Sequence, residues 1–192
     1  MSDLRRSIPF LARETSLPSA LVSLLIVVLG CRSTTGPSDD SPHLLQTEEV
    51  RYQLRPDWVG LAVDIPYVFE NRTGAPVYLV NCNGAFPLRL ERLEGAGWIP
   101  AWGPGINHCL SHPIIIDAGA VFPDTLRVWG ALPGGDVGPQ FDVSDPTGTY
   151  RIVWMAALSS FQNHLPFGPE IPLAHRISNS FLLTLASVDP KP

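Results

Sequence analysis

The densest grouping of residues able to hold a metal or act as nucleophiles is His108-Cys109-Leu-Ser-His112. With Cys82 as a third ligand, it offers the imidazole and thiolate groups that bind zinc. It lacks a fourth ligand and a second cluster at a recognised spacing, so we read no metal site and no cofactor there. The chain has no Gly-x-Ser-x-Gly elbow, HExxH, P-loop or dinucleotide fingerprint. A Ser/His/Asp trio can be named in any chain of 192 residues, and without a strained nucleophile turn it means nothing. We therefore read a protein that is not an enzyme. Asn71-Arg72-Thr73 matches a glycosylation sequon. The acidic pairs Asp39-Asp40 and Glu48-Glu49 read as solvated stretches. A formal charge of −5 leaves no basic footprint for nucleic acid.

What must be positioned starts with the N-terminus. Arg5, Arg6 and Arg13 form a positive opening, followed by an apolar run from Ala20 to Gly30. As a helix that run reaches only about 16 Å, roughly half of a hydrocarbon core. A positive opening before a short apolar run reads as a secretory signal. The alternative, a short membrane anchor from Leu11, is interrupted by Arg13, Glu14 and Pro18. Val28-Leu29-Gly30-Cys31, at the end of the run, resembles the lipobox of bacterial lipoproteins, with Leu29 bulkier than the usual residue. The resemblance implies cleavage before Cys31 and acylation of its thiol and new amino group. Two or more acyl chains hold a protein stably on a membrane, where one holds it marginally. The small, polar stretch from Arg32 to Pro42 reads as a flexible tether. The expected organisation is a signal peptide over 1–30, a tether over 31–47 and a β domain over 48–188, the folded part beginning near His43. The expected location is the periplasm or the cell exterior, with the membrane as a partner through Cys31.

Beyond the tether the apolar period is two. Leu61, Val63, Ile65, Tyr67 and Phe69 share one parity, as do Tyr150, Ile152 and Trp154, and Phe181, Leu183 and Leu185. Twenty prolines and sixteen glycines, dispersed rather than clustered, argue against long helices. The expected fold is an all-β, antiparallel, immunoglobulin-like sandwich of about seven to eight strands.

Asp145-Pro-Thr-Gly-Thr-Tyr150 resembles the turn and tyrosine before the sixth strand of immunoglobulin-like domains, whose phenol satisfies a backbone group. An ordinary tight turn is the other reading. Two residues on, Ile152 stands where such domains often place a cysteine, which rules out an antibody-type bridge. Over about residues 50–156 the chain also resembles the intracellular proteinase inhibitor-like family. The matching features are Phe69-Glu-Asn71, Val77–Val80, Arg89-Leu-Glu-Arg-Leu93 before Gly97-Trp98, Ile116-Asp-Ala-Gly119 and Gly148-Thr-Tyr-Arg-Ile152. These are mostly folding residues, so the resemblance implies architecture and identifies no reactive loop.

In an exported chain Cys82 and Cys109 are expected to form a disulfide, two free thiols being the alternative. The bridge would pin the Pro/Gly-rich stretch Trp98–Gly105, read as an irregular aromatic loop. A second irregular stretch runs from Leu158 to His175. Its Phe161, Leu165 and Phe167, stiffened by Pro166, Pro169 and Pro172, either face a protein partner or pack back over a sheet edge. Trp98 and Trp102 either stack on sugars or pack against the sandwich. The leading expectation is a lipid-anchored module that binds or scaffolds another protein, in the manner of a proteinase inhibitor or otherwise. The alternative is a carbohydrate- or envelope-binding module.

Overall fold

The computed structural model describes residues 44–106, 109, 111–160 and 168–186. The signal peptide, Cys31, most of the tether, His108 and the triplet Phe161, Leu165 and Phe167 lie outside these residues. Within them there are eleven strands rather than seven or eight: β1 (Leu45–Thr47), β2 (Arg51–Pro56), β3 (Leu61–Glu70), β4 (Val77–Asn81), β5 (Leu88–Glu94), β6 (Gly97–Trp102), β7 (Ser111–Ile116), β8 (Val121–Gly130), β9 (Gly148–Trp154), β10 (Ala157–Leu158) and β11 (Phe181–Leu185). The described helical structure is one 3-10 turn at Leu173–His175.

β3 carries the clearest alternation, with Val63, Ile65, Tyr67 and Phe69 buried and the intervening residues partly exposed. It pairs along its length with β8, and its other edge is shared by β2 near Leu61 and β1 near Phe69. β2 changes partner partway. Its residues Arg51–Leu54 run parallel to β11, and Arg55 and Pro56 pair with β3. Through β11 the sheet continues to β9, β5 and β6. One strand thus joins two layers. The layers face each other: Trp154 of β9 packs its ring against Phe69 of β3 (4.5 Å between centroids) and Phe122 of β8 (6.5 Å). Tyr67 meets the same indole edge to face at 6.1 Å. The result is an all-β sandwich, and a smaller sheet β10-β4-β7 completes the described strands.

Tyr150 performs the corner role anticipated for it. Its hydroxyl donates to the Pro146 carbonyl at 2.8 Å, while Ile152, fully buried, fills the core in place of a bridging cysteine. The disulfide lies elsewhere. Cys82, just after β4, is bonded to Cys109 ahead of β7, with S–S 2.03 Å.

Leu44 and Leu45 are buried and β1 pairs with β3, so the described fold starts before residue 48. The stretch expected to be an irregular loop from Trp98 is β6, which pairs with β5 through a register shift at Leu90/Glu91. Pro100 falls in β6 at the edge of the sheet, where a strand tolerates proline. The stretch from Leu158 is anchored at both ends, by β10 and by a bridge from Leu158 to Glu170.

Candidate functional site

On β2, β3 and β8 the residues between the buried ones form an outer face. There Asp64 stands opposite Arg127, and Ala62 opposite both Trp129 and Arg55. The Asp64 carboxylate joins the three strands. Its Oδ2 accepts from Arg55 Nη2 at 2.7 Å and its Oδ1 from Arg127 Nε at 3.3 Å. At the end of this face the β2–β3 hairpin closes over Asp57-Trp-Val-Gly60. The Asp57 and Gly60 backbones bond each other in both directions, and Asp57 Oδ1 accepts the Trp58 N–H at 2.7 Å. A β-carbon at Gly60 would lie 2.4 Å from the Gly130 carbonyl, so only glycine lets the turn seat against the end of β8. The seated turn leaves Trp58 outside, 89% exposed.

Trp58 and the half-buried Trp129 line one cleft of about 400 Å³ with Arg55, Asp57, Asp64 and Arg127. The short side chain of Ala62 opposite Trp129 leaves it room. Arg55 and Asp64 also border an adjoining hollow of about 390 Å³ that reaches Arg51 and Tyr52. No histidine, cysteine, serine or lysine lines the first cleft, whose ionisable groups are the carboxylates of Asp57 and Asp64 and the guanidiniums of Arg55 and Arg127. It does hold flat aromatic surface beside fixed hydrogen-bond donors and acceptors, a combination suited to binding.

The residues anticipated for a site are placed differently. Trp102 is 1% exposed and donates its Nε1–H to the Trp129 carbonyl at 3.0 Å, so it has no face for a ligand. Trp98 is half-buried and carries the Arg151 guanidinium 4.5 Å from its ring centroid. Arg151 is also fixed to the buried Glu91, with Nε at 2.9 Å and Nη2 at 2.6 Å from Oε2, and Arg89 holds the other carboxylate oxygen. The pair Trp98 and Trp102 therefore forms no sugar-stacking platform. One indole is core and the other is covered by the protein's own cation. Among the described residues no group of three His, Cys, Asp or Glu could hold a metal, while His108 lies outside them. Asn71 is fully buried, with its amide nitrogen donating to the Ala75 and Ile116 carbonyls at 2.8 Å each. That nitrogen is the atom a glycan would need, so the folded sequon is closed.

Two features were missed in the sequence. Trp58 had a signal, since a tryptophan within a four-residue hairpin turn cannot reach a core. Arg176 is the other. Buried after the 3-10 turn, it donates from Nε to the Ile171 carbonyl at 2.9 Å and from Nη1 to the Trp154 carbonyl at 3.0 Å, and pairs with Glu170 at 2.5 Å. It fastens the end of the 158–176 connection to the end of β9.

Fold and site together define an all-β sandwich with a mixed aromatic and ionic cleft on its outer face. Comparison with protein-family models, curated proteins and solved structures finds no match.

Proposed function

We propose that this chain is an exported, non-catalytic binding module, held to a membrane by lipid on Cys31, which takes its ligand in the Trp58–Trp129 cleft. The carrying observation is the 89% exposure of Trp58 beside a second indole and the Arg55–Asp64–Arg127 network. An indole left in water gives the fold almost no burial energy, whereas covering it with a ligand recovers about 25 cal/mol per Å² of apolar surface. Export is supported by the signal-like N-terminus, the lipobox and the disulfide, a bond that cytosolic thiol buffers disfavour.

A protein ligand is the second reading, because tryptophan and arginine carry much of the energy at protein interfaces. The inhibitor-like resemblance points the same way. The anchoring half is tested by growing the producing bacterium with an alkyne fatty acid. The chain should take up label and sediment with membranes, and Cys31→Ala should lose the label. An unlabelled, full-length chain in the cytosol would overturn it.

A further inference from the structure

We infer that the cleft takes an uncharged chain of hexopyranose units, an assignment that rests on the binding role proposed for it. The first argument is shape and polarity. A pyranose ring has an apolar C–H face and a rim of hydroxyls, and the electron-rich face of an indole attracts C–H groups. Trp58 and Trp129 supply such faces in one cleft.

The second argument is the hydrogen-bond set. Adjacent hydroxyls each donate and accept, so they need acceptor and donors side by side. Asp64 between two guanidiniums is that arrangement. One nitrogen of each arginine is engaged on the carboxylate, and a guanidinium has further N–H donors on its other nitrogens.

The third argument is charge. Arg55 and Arg127 are balanced in the cleft by Asp57 and Asp64, and the whole chain is at −5. A uronate, phosphate or nucleic acid would find no surplus positive field, which argues against an anionic chain. Length follows from the second hollow. Arg55 and Asp64 border both, and each volume falls in the range of small-molecule sites, so the ligand extends over more than one ring.

The test is titration of the mature, acylated chain, in a detergent without a sugar headgroup, with cellohexaose, maltohexaose, chitohexaose and a uronate hexasaccharide. Tryptophan fluorescence and calorimetry are the readouts. At least one uncharged sugar is expected to bind with Kd at or below about 1 mM, unaffected by salt. Trp58→Ala should weaken it about tenfold or more with no change in Tm, and Asp64→Asn should weaken it as well. The inference is overturned if none of the uncharged sugars binds. It is also overturned, with the cleft itself retained, if the uronate binds more tightly and Trp58→Ala abolishes that binding. A photo-crosslinker at position 58 that captures protein and no glycan in the producing cell has the same meaning. Sugar binding indifferent to Trp58→Ala overturns the inference and the cleft reading together.

Discussion

Replacing Arg176 by alanine is expected to cost more than any surface substitution in this domain, and the size follows from its partners. The side chain is 11% exposed and its two bonds to the Ile171 and Trp154 carbonyls are 2.9 and 3.0 Å long. A hydrogen bond from a charged donor contributes about 1.5–3 kcal/mol, and its loss here strands a carbonyl in the interior. Two of them give a loss of about 3–5 kcal/mol. The third partner counts for less. Glu170 is 48% exposed, so solvent screens the pair and Glu170→Ala should cost under about 1 kcal/mol. In a domain of this size each kcal/mol moves Tm by about 2–4 °C, which predicts a fall of roughly 6–20 °C for Arg176→Ala. Arg176→Met restores most of the volume without the donors and should fall nearly as far. Urea and thermal unfolding of the full chain measure all three variants. Equal losses for Arg176→Ala and Glu170→Ala, or a loss under about 1 kcal/mol for Arg176→Ala, would refute the carbonyl-clamp argument.

Two further outcomes are expected. Cys82 and Cys109 are 27 residues apart, for which loop-closure entropy gives about 3.5 kcal/mol. Cys82→Ser with Cys109→Ser should therefore lower Tm by roughly 7–14 °C, and the denatured, unreduced wild type should show no thiol at either position; a reactive pair there would contradict the bridge. In alkali, burial pushes the Tyr150 phenol up to about 12 from its ordinary 10 and raises that of Tyr67 too, where the Asp124 carboxylate adds to burial. A folded-state value above the unfolded one means the stabilisation is complete below pH 10 and lost as pH rises from 10 to 12. For Tyr150 alone that loss is about 3 kcal/mol, and Tyr150→Phe should flatten that part of the curve. Stability unchanged up to pH 12, or the same slope in Tyr150→Phe, would contradict it.

The parts of the fold that could be read in the sequence are those where one local rule acts alone. The parity of Val63, Ile65, Tyr67 and Phe69 survives intact because β3 has one face on the core and nothing interrupts it. Tyr150 was legible because its hydroxyl bonds only four residues back. Trp102 was not. Pro100 reads as a breaker, and the parity that buries Trp102 passes through that proline and a register shift against β5. Glu91 follows the outward parity of β5 yet is buried, because Arg89 and Arg151 close on its two oxygens and Arg151 in turn lies over Trp98. The short strands β1 and β10 carry too few residues for a period to show. Arg176 had no signal at all, since its carbonyl partners are set by where the chain returns.

The contrast between Trp102 and Trp58 separates what holds this domain together from what it presents. Trp102 loses contact with water and recovers a hydrogen bond at Trp129, so its indole belongs to the fold. The turn bearing Trp58 is closed by backbone bonds between Asp57 and Gly60 and by the approach of Gly60 to Gly130. None of these contacts involves the indole. The same holds for Arg55 and Arg127, whose ion pairs with Asp64 are solvent-exposed and contribute little to stability. A face whose side chains the fold does not need can be altered without unfolding it, so loss of binding in Trp58→Ala would report on the ligand. The stability determinants at Arg176 and the disulfide use other residues and do not line that cleft.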